Sequence, residues 1–289
     1  MSDRVRKAVF PIAGLGTRML PVTKVLPKEM LPVVDKPVIQ YALEEAKDAG
    51  IEEFIFVTSR GKSLIEDHFD HASELFDALT RKEKLAELEE LRTWLPTPGT
   101  VNYTRQQQPL GLGHAVWCAR HMVGDEPFAV LLVDDLMVGR PACLAELVEA
   151  HDRIGGNVVA IEEVPAAQVD RYGVIDPGED DGRLVEVRGL VEKPPVDEAP
   201  SNLTVVGRYV LTPEVFGYLD RHEAGAGGEI QLTDAMARLI DTQPFHGLRF
   251  RARRFDCGAK AGYLEAIVAC ALEREDLKGA MRDVLARYA

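Results

Sequence analysis

The sequence predicts an α/β protein whose central sheet is mixed but mainly parallel and lies between helical layers. Three observations lead there. Short apolar runs recur along the 289 residues with helical stretches between them, the pattern of a parallel sheet covered on both faces. Several polar motifs fall where those runs end, and ligands of such sheets bind beyond the carboxyl ends of the strands. No internal repeat or low-complexity tract interrupts the pattern, so a single domain over residues 1–289 is expected.

Taken in order, the first strand is 8–12 (AVFPI), an apolar run that empties into a glycine turn. A helix is expected at 38–48, a strand at 54–58 and a helix at 61–69. Residues 73–95 are different. Leu75, Leu79, Leu85, Leu88, Leu91 and Leu95 recur at mostly helical spacing among Lys, Arg and Glu, which predicts one or two inserted amphipathic helices. Surface support is their default role, and a subunit contact is the alternative. A strand at 101–104, a helix at 113–121 and a strand at 128–133 follow, then strands at 158–162, 184–187, 204–211 and 248–251. The segment 176–182 (DPGEDDG) reads as a turn between strands. The helical pattern of 261–288 offers a surface for a neighbouring subunit.

Hydrophobic residues make up 46% and charged residues 28%, an ordinary soluble composition. The formal charge of −13 argues against nucleic acid or an anionic membrane as partner, because phosphates would be repelled over most of the surface. Anionic small substrates then need a few converging cations. Cys118, Cys143, Cys257 and Cys270 show no C-x-x-C spacing, as expected of reduced thiols in a cytoplasmic protein. The N-terminal MSDRVRKAVF lacks the apolar core of a signal peptide, and no run approaches the ~20 residues of a membrane span. A cytoplasmic location is expected.

The chemistry concentrates after the first strand. Glycines at 14 and 16 let backbone N–H groups approach an anion, and Arg18 and Lys28 add fixed positive charge beside them. A dinucleotide fingerprint would need glycine where Met19 stands, and a phosphate loop ending at Gly61-Lys62-Ser63 would need one at Phe56. Farther on, Leu131-Leu132-Val133 ends in Asp134-Asp135, hard oxygen ligands at a strand end that suit Mg²⁺ or, more plainly, a turn. Gln106-Gln107-Gln108 precedes Gly111-Leu112-Gly113, and a glutamine amide carries the donor and acceptor that the paired edge of a pyrimidine needs. Glu192-Lys193-Pro194 closes another apolar segment. Adjacent residues on an extended chain point to opposite faces, so this carboxylate and ammonium need not neutralise each other.

Gly14, Gly16, Thr17, Arg18, Pro21, Thr23, Pro27 and Lys28 fill the signature G-x-G-T-R-x-x-P-x-T-x-x-x-P-K. The chain thereby resembles the sugar-1-phosphate nucleotidyltransferases. The longer wording, with Lys24, Glu29-Met30-Leu31-Pro32-Val33 and Asp35-Lys36-Pro37, is similar to the bacterial uridylyltransferases among them. The resemblance implies a Rossmann-like three-layer sandwich with inserted and C-terminal helices. It divides the chain into a nucleotide-binding part at about 1–135, a sugar-binding part at about 136–258 and a helical segment at about 259–289.

The resemblance also implies UTP and glucose 1-phosphate as substrates, UDP-glucose and pyrophosphate as products, and a homo-oligomer, dimer or tetramer. Arg18, Lys28 and Lys193 would be catalytic. Ala13, Gly14, Gly16, Thr17, Glu29, Gln106 and Gly111 would hold the nucleotide, and Gly173, Glu192 and Lys193 the sugar phosphate. Mg²⁺ would sit on Asp134. Asp256 matches the position of a second metal carboxylate, with a helix N-cap as the competing role. Asn202 and 228–234 (GEIQLTD) also match, the latter as a helix start. Two alternatives stay open: the same chemistry with dTTP or CTP, and a catalytically silent regulator that binds nucleotide sugars.

Overall fold

The computed structural model describes residues 4–288; the first three residues of the N-terminal stretch read above lie outside the described residues, as does Ala289. Among the described residues thirteen strands are formed: β1 (Lys7–Pro11), β2 (Pro32–Val33), β3 (Lys36–Pro37), β4 (Glu53–Thr58), β5 (Val101–Arg105), β6 (Phe128–Leu131), β7 (Asp135–Val138), β8 (Asn157–Glu163), β9 (Gly173–Asp180), β10 (Leu184–Glu192), β11 (Leu203–Leu211), β12 (Phe245–Arg249) and β13 (Arg253–Asp256). Nine of them make one sheet in the order β5-β4-β1-β6-β11-β8-β12-β10-β9. β5, β4, β1 and β6 pair in parallel, as do β8 and β12, while β11 and β10 run against their neighbours.

The alternation of side chains along each strand feeds two cores. Ala8 and Phe10 point to one face with Phe54 and Phe56, against the helices Val38–Asp48, Ser63–Phe69 and Cys143–Ile154. Val9, Ile55 and Val57 point to the other, against Leu112–Cys118, Val215–Leu219 and Leu232–Ile240. Every residue of β6 and β11 is buried, as strands covered on both faces must be. The sandwich is therefore three-layered. Inserted helices Ser73–Arg81 and Leu85–Trp94 carry one buried residue between them, Leu88. The C-terminal segment folds as two helices, Lys260–Glu273 and Lys278–Tyr288.

Two expectations are corrected. Most of 176–182 is strand, because β9 continues to Asp180 and only the last residues turn. Its Pro177 and Gly178 are tolerated because β9 lies at the sheet edge and pairs with β10 through register shifts. The run 128–133 ends its pairing in the main sheet at Leu131, and Asp135–Val138 leaves to form a separate two-stranded sheet with β13.

Candidate active site

β1, β4, β5 and β6 point the same way, so the segments after them converge at one edge. Behind β1 the chain turns at Gly16, whose φ of +67° suits glycine. A Cβ there would lie 3.2 Å from Thr23 Cγ2 and 3.3 Å from Lys28 Cβ. Thr23 Oγ1 donates to the Gly16 carbonyl at 2.8 Å, and Ser59 Oγ to that of Ala13 at 3.1 Å. Arg18 and Lys28 then leave short 3₁₀ turns toward a common anion, Asp134 Oδ2. Lys28 Nζ approaches it to 2.7 Å and Arg18 Nη2 to 3.5 Å. Burial pushes the Asp134 carboxyl up, but Lys28 and Arg18 outweigh it and hold its pKa below the ordinary value. For Lys28 burial works against the charge, and Asp134 and Glu29 still raise its pKa. Lys28 and Asp134 therefore remain ionised together.

The pairing of β7 with β13 sets Asp135 opposite Asp256, and Cys257 N–H donates to the Asp134 carbonyl at 2.7 Å. This brings Asp134, Asp256 and Gly258 side by side. A Cβ on Gly258 would lie 2.6 Å from Arg18 Nη2, 2.7 Å from Asp134 Oδ2 and 3.0 Å from Asp256 Oδ1. The missing side chain thus leaves a cradle lined by two carboxylate oxygens and a guanidinium. Among the described residues no three His, Cys, Asp or Glu side chains cluster as a complete metal cage. Mg²⁺ is commonly held by one or two carboxylates plus waters and phosphate oxygens, and the cradle fits that donor set. Asp256 is not the helix N-cap, a position that Ala259 occupies; its Oδ1 accepts from Gly258 N–H at 3.0 Å.

Asp135 is committed elsewhere. Arg254 Nε donates to its Oδ1 at 2.6 Å and Arg254 Nη1 to Glu162 Oε2 at 3.0 Å. Burial pushes the Asp135 carboxyl up to about 6, although Arg254 pulls it down. Gly207 makes room for it, since a Cβ there would stand 2.6 Å from Asp135 Oδ2.

On the opposite wall, Lys193 Nζ lies 3.0 Å from Glu192 Oε1. The opposite faces expected of an extended chain are not found here. Lys193 has a φ of +46°, so the alternation of an extended chain breaks there and both side chains reach the same side. Lys193 N–H donates to the Tyr172 carbonyl at 2.9 Å, which holds the turn. Glu192 Oε2 accepts from Thr233 Oγ1 at 2.7 Å, and Gly173 lies against both. A cavity of about 430 Å³ joins the walls, with Arg18, Asp134 and Asp256 on one side and Gly173, Glu192, Lys193 and Thr233 on the other. It also takes in Arg171, whose Nη2 is 3.7 Å from Asp256 Oδ2. No sequence signal marks Arg171 or Arg254 as members of this site.

The remaining expected residues lie outside that cavity. Gln106 follows β5 and is buried; its Nε2 is 3.0 Å from the Gly111 carbonyl and 3.0 Å from His114 Nδ1. Gly111 and Gly113 are needed for close packing, since Cβ atoms would stand 2.7 Å and 2.8 Å from the Ile230 carbonyl oxygen. The Glu29 carboxylate is 1% exposed and takes the Lys62 ammonium at 2.6 Å. It braces the Lys28 turn from beneath, away from the loop surface. Asn202 Nδ2 donates to Glu163 Oε1 at 2.9 Å, at the far end of β8.

Residues 7–272 match the family described as nucleotidyl transferase. This chain belongs to the nucleotidyl transferase family. Among similar proteins, a UTP–glucose-1-phosphate uridylyltransferase of Komagataeibacter xylinus is 53% identical over 260 residues, 90% of this nucleotidyl transferase and 92% of its own length. One of Bacillus subtilis is 48% identical over 275 residues, 95% of this chain and 94% of its own. A UTP-bound enzyme of Acinetobacter baumannii superposes with a TM-score of 0.91 at 42% identity, covering 98% of this chain and 99% of that one. A UDP-glucose pyrophosphorylase complexed with UDP-glucose gives 0.83 at 41% identity, over 93% and 100% of the two chains.

Proposed function

We propose that this nucleotidyl transferase joins UTP and α-D-glucose 1-phosphate to give UDP-glucose and pyrophosphate. The observation that carries the reading is the single cavity in which Arg18, Asp134 and Asp256 face Glu192, Lys193 and Gly173. It brings the phosphate-handling groups of the first half within reach of the hydroxyl-binding groups of the second. Relatives named for this reaction extend over nearly the whole chain, and solved neighbours hold UTP or UDP-glucose.

In the resting protein the cations are parked on carboxylates, Lys193 on Glu192 and Lys28 and Arg18 on Asp134. Substrate binding transfers them to phosphate. Lys193 holds the phosphate of glucose 1-phosphate, while Glu192 and Gly173 accept and bound the glucose hydroxyls. A phosphate oxygen, already anionic, attacks the α-phosphorus in line. The new P–O bond forms as the bond to the β-phosphate oxygen breaks, and its electron pair leaves with pyrophosphate. No covalent nucleophile is required, so positioning and charge carry the rate. Arg18 and Lys28 meet the charge of the triphosphate and of the leaving group. Ala13, Gly14, Gly16 and Thr17 line the approach, with Gln106 and Gly111 at the base. Asp134 and Asp256 would hold Mg²⁺, which when bound neutralises and clamps phosphate oxygens.

The same reading takes the protein as a cytoplasmic homo-oligomer. Supporting it are four unpaired cysteines and the exposed Leu264 and Tyr288 on the C-terminal helices. The deciding assay is pyrophosphate release with glucose 1-phosphate and Mg²⁺, comparing UTP, dTTP, CTP, ATP and GTP. Preference for UTP is expected. Preference for dTTP keeps the mechanism and replaces the substrate, and no turnover by folded protein that binds UDP-glucose supports the silent regulator.

A further inference from the structure

The geometry points to His114 as the residue that, together with the Gly111 carbonyl, sets the polarity of base recognition, by engaging both hydrogens of the Gln106 amide so that only its oxygen can face the base. The inference rests on the reading of Gln106 as the base contact. Three adjacent glutamines carry no polarity of their own, since each amide can present either end. The surroundings of Gln106 remove that freedom. One end of its amide is 3.0 Å from the Gly111 carbonyl oxygen. A carbonyl only accepts, so the atom facing it must be Nε2. The same nitrogen lies 3.0 Å from His114 Nδ1, and its second hydrogen therefore points at that ring nitrogen. His114 must accept there, which makes it a neutral imidazole with its proton on Nε2.

Both hydrogens of the amide are then engaged, and Oε1 alone is left for a ligand. An acceptor at that place suits a base with N–H at its pairing edge, as uracil and thymine have at N3. It faces the lone pair of cytosine N3 unfavourably. The two partners are themselves fixed. The Gly111 carbonyl also accepts from Ala115 N–H at 3.1 Å, which holds it in place. The His114 ring stacks on Trp117 at 5.6 Å and meets the edge of His222 at 5.7 Å. Cys118 Sγ lies 4.0 Å from its Nδ1, and Arg120 rests 3.5 Å above the Trp117 ring. The nearby carboxylate, Asp220, is taken by the Trp117 indole N–H. Burial, His222 and Arg120 together lower the His114 pKa, so the ring remains an acceptor.

Isotope-edited NMR of the imidazole nitrogens in the wild-type protein is expected to place the His114 proton on Nε2; a proton on Nδ1 overturns the inference. Steady-state kinetics with UTP and CTP supply the second arm. His114→Leu should reduce the UTP-over-CTP ratio of kcat/KM about tenfold, mainly through KM for UTP. His114→Asn should restore much of it, because its Oδ1 can accept where Nδ1 did. Gln106→Leu separates this inference from the reading beneath it. If Gln106→Leu leaves base preference unchanged, Gln106 is not the base contact. If Gln106→Leu abolishes preference while His114→Leu keeps the wild-type ratio in folded protein, Gln106 reads the base without His114, and the inference is wrong.

Discussion

Replacing Gly258 with alanine should silence the enzyme while leaving its fold intact. The new methyl would enter the cradle 2.7 Å from Asp134 Oδ2 and 3.0 Å from Asp256 Oδ1, where ordinary contact begins at 3.4 Å. Arg18 Nη2, at 2.6 Å, can retreat because its side chain is 61% exposed. Asp134 cannot retreat as freely, since Lys28 grips the same oxygen at 2.7 Å. Relieving the contact therefore moves that oxygen by roughly 0.7 Å, from 2.7 to 3.4 Å. A misplacement on the order of 1 Å at a reacting centre costs about 10²-fold, so kcat should fall roughly 30- to 100-fold, or about 2–3 kcal/mol. Gly258 does not have a positive φ, so alanine adds no backbone strain there and its cost falls on the side chains it displaces. Pyrophosphate release as a function of Mg²⁺, together with thermal unfolding, separates a misplaced carboxylate from a damaged fold. Wild-type kcat with an unchanged Mg²⁺ requirement would refute the cradle.

Other substitutions test other walls. Lys193→Ala should lower kcat about 10²- to 10³-fold, as loss of a charge-stabilising donor does, with UTP affinity by calorimetry nearly unchanged; equal loss of both would give Lys193 a different role. Thr233→Val removes the donor to Glu192 Oε2, and KM for glucose 1-phosphate should rise about five- to tenfold at little cost to UTP binding. Arg208→Met strands the buried Glu45, which accepts Arg208 Nη2 at 2.7 Å, and should destabilise by about 3–5 kcal/mol in urea unfolding. KM for UTP should be flat with pH above 6.5, the ordinary histidine value, because His114 sits below it. It should rise only on further acidification, when the protonated ring loses its acceptor; a rise that begins above 6.5 contradicts the assignment.

Much of this architecture is legible in the sequence because burial writes it there. The helix at Val38–Asp48 and the all-apolar β6 need only periodicity. The site was legible as separate motifs, and their meeting was not. Asp256 joins Asp134 only through the β7–β13 register, and two four-residue strands carry no sequence signal of their partner. Alternation failed at Lys193 because a single left-handed residue reverses it. Pro177 and Gly178 suggested a turn because an edge strand can accept residues that a central strand refuses. His114 carries no sequence signal of its contact with Gln106, which only their 3.0 Å separation reveals.

The place of β11 between β6 and β8 also governs how the chain can be made. β6 is complete at Leu131, yet the strand that covers its open edge begins at Leu203. At about 5–20 residues per second, a ribosome needs roughly 4–14 s to deliver the missing neighbour. During that time the nascent protein presents four apolar residues on a strand paired only with β1, the kind of edge that recruits other chains. The two halves of the main sheet are therefore not units that can mature in turn. Synthesis must pass residue 211 before either is secure, and holding the chain apart from its neighbours until then falls to the cell.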